Sequence, residues 1–189
     1  MLKFKLKSHT AGKKLVLLSC LCLWASLAMA QSDYTLYQLA FKRGNRIITI
    51  QPDLTTAKAV DEVHVATNDL SQYLILRNLG NKDFLIASAA APNHLLGRLG
   101  NSVNFKKIEY NNIADVPNNY KWRLMSTISR SNEVAPNGGL FVMLQHSSTS
   151  NLAMFAQNDG SLQFTYINSS GQNDRFRLYV KKKLVPGKF

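Results

Sequence analysis

Three observations on this 189-residue chain predict an all-β fold of three four-stranded repeats. Short apolar runs alternate with polar residues at a period of two, and no stripe recurs at three and four residues as a helix requires. Gly, Pro, Asn and Asp punctuate the runs at close intervals. The strand order then recurs at about fifty residues, a period that points to closed repeat architectures.

The elements follow in order. Leu36–Phe41 (LYQLAF) and Arg46–Ile50 (RIITI) are strands joined by a turn at Arg43-Gly44-Asn45. Gln51–Lys58, with Pro52 and Asp53, is loop-like, and strands follow at Glu62–Thr67 (EVHVAT) and Gln72–Arg77 (QYLILR). The second section runs Asp83–Ser88 (DFLIAS), His94–Leu99 (HLLGRL), a turn at Gly100-Asn101-Ser102, and Val103–Tyr110 (VNFKKIEY). There Lys106-Lys107 breaks the alternation and predicts a bulge. After the loop Asn111–Asn119, Tyr120–Ser126 (YKWRLMS) closes the section. The third is entered through the loop Ser129–Gly139 and has strands at 140–145, 151–157, 161–167 and 175–181. Asn158-Asp159-Gly160 predicts a type I′ hairpin turn, which needs positive φ at its centre.

The closing strands align as Tyr73-Leu74-Ile75, Trp122-Arg123-Leu124 and Phe176-Arg177-Leu178. Three units are too few for a propeller, whose blades number about four to eight. Three four-stranded units around a pseudo-threefold axis make a β-trefoil, with Tyr73, Trp122 and Phe176 as core aromatics. A β-sandwich is the alternative that strand spacing alone also fits.

The first thirty residues are a different kind of segment. Lys3, Lys5, Lys7, Lys13 and Lys14 precede the apolar run Leu15–Leu27, which exits through Ala28-Met29-Ala30. That order predicts a secretory signal peptide cleaved after Ala30, since the run is shorter than the ~20 residues a membrane span needs. The predicted organisation is 1–30 signal peptide, 31–181 a single trefoil domain and 182–189 a basic tail. Leu17-Leu18-Ser19-Cys20 weakly matches a lipoprotein box, the lesser alternative. Both cysteines, Cys20 and Cys22, lie in the leader, so the mature chain is expected to form no disulfide. The leader holds five of the 23 Lys and Arg and none of the 11 acids, which leaves the mature chain at +7. Such a balance favours anionic lipid, glycan or an acidic partner. Nucleic acid does not suit an exported protein, and no second run is long enough to span a membrane.

Residues that could carry chemistry are few. His64, His94 and His146 form no metal-ligand pair, and there is no nucleophile elbow, phosphate loop or HExxH. No catalytic residue, metal or cofactor is therefore expected, although a carboxylate pair assembled from distant loops stays open. Arg123 and Arg177 should face away from the core aromatics, where guanidinium forks suit carboxylate, sulfate or phosphate or simply form a solvated face. Lys181-Lys182-Lys183 extends that basic region. The candidate sugar sites are Asn158 and Asp159 with Tyr166, and Asn101 with Tyr110, because amides and carboxylates supply the donors and acceptors that hydroxyls need. Trp122 would also serve as a stacking ring, but its place in the aromatic series assigns it to the core.

Tyr73–Ser88 (YLILRNLGNKDFLIAS) and Tyr120–Leu124 (YKWRL) resemble the ricin-B-like trefoil repeat, an apolar strand and Arg-Asn pair leading through a turn to a second apolar strand. With the leader and the length, the chain resembles the A and C subunits of bacterial cytolethal distending toxins. The resemblance implies a non-catalytic subunit that binds the target-cell surface and a toxin partner subunit. The Gln-x-Trp triplet of ricin-type repeats is absent and is only approximated at Gln72-Tyr73-Leu74 and Tyr120-Lys121-Trp122. Two other classes remain: a trefoil protease inhibitor acting through Ser129–Gly139 or Asn111–Asn119, and an exported hydrolase.

Overall fold

The alternating runs become twelve strands in the computed structural model, which describes residues 35–62, 70–126, 135–136, 141–148, 152–167 and 176–184 (backbone alone at 126 and 182–184). All of these fall within one compact unit, Thr35–Val185. The strands are β1 (Leu36–Phe41), β2 (Ile47–Ile50), β3 (Ala57–Val60), β4 (Leu74–Gly80), β5 (Asp83–Ser88) and β6 (His94–Leu99). They continue as β7 (Ser102–Lys107), β8 (Lys121–Ser126), β9 (Val142–His146), β10 (Leu152–Ala156), β11 (Leu162–Tyr166) and β12 (Leu178–Leu184).

Six strands close a barrel. β1 pairs with β4, β4 with β5, β5 with β8, β8 with β9, β9 with β12, and β12 with β1 again, all antiparallel. Closure leaves this ring no free edge. The other six form the hairpins β2–β3, β6–β7 and β10–β11, each attached to the barrel through β1, β5 or β9. A closed ring carrying three hairpins is a β-trefoil, and the continuous pairing rules out the two separate sheets of a sandwich.

Pairing fixes the true internal register. At successive joints Leu74 faces Ser88, Trp122 faces His146 and Leu178 faces Phe41. The equivalent core residues are therefore Leu74, Trp122 and Leu178, each 0% exposed. The expected trio of Tyr73, Trp122 and Phe176 is out of step by one residue at Tyr73 and by two at Phe176. Tyr73 is buried outside the barrel with Leu85, Leu95, Val116 and Tyr120. Phe176 precedes β12 and packs edge to face on Phe155 at 5.9 Å. Its counterpart Tyr120 precedes β8 and covers Gly97, where an added Cβ would lie 2.3 Å from the ring. Gly97→Ala should therefore lose about 1–3 kcal/mol in urea unfolding. A change below about 0.5 kcal/mol would show that the ring moves freely.

Four further expectations are corrected. The expected loop Gln51–Lys58 ends early, in β3 (Ala57–Val60), and of the expected strand Glu62–Thr67 residues 63–67 lie outside the described residues. The Lys106-Lys107 bulge is absent, because β6 and β7 pair without a shift from His94↔Lys107 to Leu99↔Ser102. Register shifts fall instead at Gln38/Leu39 and Asn78/Gly80. Asn158-Asp159-Gly160 does turn a hairpin, but with positive φ on Gly160 alone (+85°) it is not type I′, which needs two such residues. That turn type occurs instead at Asn81-Lys82, both at positive φ. Finally, β12 runs through Leu184, so the expected tail begins as strand, with Lys182 opposite Gln38.

Candidate functional site

The three hairpins lock together through one hydrogen bond made three times. The Ala59 N–H donates to Gly160 O (2.7 Å), the Phe105 N–H to Thr55 O (2.8 Å) and the Phe164 N–H to Asn101 O (2.9 Å). In each repeat the acceptor precedes the donor by four residues, so Thr55, Asn101 and Gly160 are equivalent turn positions. Three surface junctions result, alike in backbone and unlike in side chains.

Where the first hairpin meets the second, the turn is acidic. The Asp53 carboxylate accepts from the Thr56 hydroxyl and from the Thr56 and Thr55 N–H groups, which hold it down at about 2. Where the third meets the first, charges of both signs gather. Asp159 Oδ1 accepts from the Ser161 N–H (2.9 Å) and hydroxyl (2.7 Å), and these bonds, with Lys58 adding a smaller effect, lower its carboxyl below the usual range. Arg46 donates to Gln157 O (2.6 Å) and Asn158 O (3.1 Å), clamping the same turn.

The junction of the second and third hairpins carries one cation at its tip, Arg98, whose Nε–H donates to Gly100 O at 2.8 Å, and is aromatic at its edge. Gly100 takes φ +64° and Asn101 does not, as a type II′ turn requires. The Ser102 hydroxyl donates to Leu99 O at 2.8 Å. From Gln163, paired with Ser102, β11 runs past Phe164 toward this tip, and Tyr166 emerges about 7 Å beyond Phe164. Tyr166 is 68% exposed and Leu99 41%. This exposed ring beside a polar turn is the candidate site.

The expected pairs are thus reassorted. Asn158 and Asp159 are exposed at one end of the third hairpin and Tyr166 stands at the other, about 16 Å of strand away. Asn101 and Tyr110 are likewise separated by the length of β7, and the Tyr110 hydroxyl bonds Arg77. Asn101 and Tyr166, expected at different sites, come to one junction. Arg123 already holds Asp83 in a two-pronged bond (2.7 and 3.1 Å) that raises its own pKa and occupies its fork. Arg177 is 4% exposed, so it offers no guanidinium to solvent. Trp122 is wholly buried, with Nε1 donating to Leu96 O at 2.7 Å, and cannot stack on a sugar. Lys181 pairs with Glu62 at 2.6 Å. Neither Arg46, whose bond to Asn158 spans 112 residues, nor Lys58, which bridges to Ser161, leaves a local pattern in the sequence.

Of the other expected sites, Ser129–Gly139 and His64 fall mostly or wholly outside the described residues. Asn111–Asn119 lies against the barrel through buried Val116. Among the described residues no group of three or more His, Cys, Asp or Glu could hold a metal, and no helix is long and apolar enough to cross a membrane.

No protein-family model matches the chain, and no curated protein matches its sequence. Solved structures do match its fold. A GlcNAcα1-4Gal-releasing endo-β-galactosidase from Clostridium perfringens superposes at TM-score 0.57 with 9% identity, over 77% of this chain and 32% of that one. The designed threefold-symmetric protein ThreeFoil gives 0.53 and 12%, over 77% and 96%. A mosquitocidal holotoxin gives 0.53 and 15%, over 79% of this chain and 17% of that one. The likeness is one of fold, and in the galactosidase and the holotoxin the matching architecture is a minor part of a longer chain.

Proposed function

We propose that this chain is an exported, non-catalytic binding module that recognises glycan through the junction of its second and third hairpins. The observation that carries the reading is Tyr166, an exposed ring beside the Asn101 turn. An aromatic face covers the apolar side of a pyranose, and amide and hydroxyl groups exchange hydrogen bonds with its rim. Leu99 is exposed at the same turn, and Arg98 donates its Nε–H to Gly100 O at 2.8 Å. The junction therefore adds a guanidinium donor that suits an anionic sugar as well as a neutral one. The galactosidase and holotoxin support the reading as proteins in which this architecture accompanies a larger machinery.

In its finer form the reading is the cell-binding subunit of a cytolethal-distending-type toxin, with 1–30 as the export signal and a toxin subunit as partner. Support for that form comes from the resemblance in the repeats and the basic leader. Glycan-array binding of the wild type and Tyr166→Ala tests the site. The variant should lose at least about tenfold in affinity while its unfolding free energy stays within about 0.5 kcal/mol, as for a surface residue. Full retention of binding would remove Tyr166 from the site. Co-purification from the native host tests the partner, and recovery of the chain alone would count against a toxin assembly.

A further inference from the structure

The candidate junction is braced from within by a titratable group that recognition does not use. His146 of β9 is 6% exposed. The barrel pairs Leu178↔Phe41, Leu74↔Ser88 and Trp122↔His146 make Phe41 and Ser88 its counterparts, both buried and neither ionised near neutrality. The imidazole meets Trp122 edge to face at 6.3 Å and Phe164 at 6.0 Å, and Ser148 Oγ lies 2.8 Å from Nδ1. Arg98 of β6 stands over the same Phe164 ring, 5.3 Å from its centroid. The charged group that bears on the imidazole is therefore another cation. Trp122 from β8, Phe164 from β11 and the Asn118 backbone from the turn before β8 also bear on the ring. Burial, and secondarily Arg98, push the imidazole below its ordinary range, against a smaller opposing effect of the bond to the Asn118 backbone.

We propose that His146 is a proton-sensitive switch in the core: acid charges the imidazole near Arg98 and loosens the third hairpin from the second through Phe164. The route is short, because Phe164 touches His146 with its ring and bonds Asn101 O with its N–H. The direction follows from linkage. The folded pKa lies below the unfolded one, so the unfolded chain takes up the proton first. Stability present above about pH 6.5 is lost as pH falls through the folded-state value. The switch depends on core geometry and stands whatever the junction binds.

Unfolding of the full chain in urea at pH 7.5, 6.5 and 5.5 tests it, with two variants in case one fails to fold. His146→Phe copies the residue that the fold already carries at Phe41, and His146→Gln keeps a polar side chain for Ser148. Within the titration window the wild-type folding constant should fall by up to about tenfold per pH unit relative to the variants. The wild-type Phe164 amide, corrected for intrinsic exchange, should also lose protection at pH 5.5. Equal pH slopes in the wild type and in either variant that folds would overturn the proposal. So would the imidazole resonances of His146 itself titrating at the ordinary histidine value in the folded wild type, a result read on the wild type once those resonances are assigned.

Discussion

Trp122→Ala should destabilise the domain by about 3–5 kcal/mol, the range for emptying a large aromatic site in a packed core. The ring is fully buried at the barrel joint, in contact with Phe164 at 5.7 Å and His146 at 6.3 Å. Its loss also strands Leu96 O, which receives the indole N–H at 2.7 Å, and a buried carbonyl without a donor costs about 1–3 kcal/mol. Trp122→Leu separates the two effects. Leucine already fills the equivalent sites at Leu74 and Leu178, so most of the volume is restored while the carbonyl stays unpaired. The expected order in urea unfolding is wild type, then leucine, then alanine. A loss below about 1 kcal/mol for alanine would mean that the barrel does not depend on this layer.

That leucine occupies two of three equivalent places explains where the sequence was legible and where it was not. Alternation located the strands with large apolar residues, such as β1, β5 and β6, to within a residue. It missed β3, because Ala57 and Ala59 hold the core positions that Val103, Leu162, Phe105 and Phe164 fill elsewhere. Aligning the repeats on aromatics failed for a related reason: a core layer selects bulk, and bulk was supplied by leucine. Alternation also implies one dry face, whereas Arg177 and Tyr179 are buried as well as Leu178, because other segments pack on the outside of the barrel. The site was legible as residues and not as a place. Tyr166 and Asp159 are neighbours in sequence that a strand holds apart, while Asn101 and Tyr166 are brought to one junction only by the Phe164–Asn101 bond.

The interlock of the hairpins predicts a second large effect. Gly160→Ala should cost about 2–5 kcal/mol, the sum of two separable penalties. Gly160 has φ +85°, and an L-residue there loses about 1–2 kcal/mol. A Cβ would also lie 2.6 Å from Ala59 O, a backbone atom that the β2–β3 hairpin holds in place, and crowding of that kind adds about 1–3 kcal/mol. Gly100→Ala isolates the first penalty, since Gly100 has φ +64° with nothing within 4 Å of its would-be Cβ. Glycine is not demanded by the interlock itself, which Thr55 and Asn101 make at the equivalent positions without positive φ. It is demanded because the third turn closes with Gln157 bonded to Ser161 across three residues, and the last of them must bend left-handed. Urea unfolding should therefore rank Gly160→Ala well below Gly100→Ala. Equal losses in the two variants would mean that the third hairpin is free to move away from the first, and the threefold lock of the hairpins would have to be abandoned.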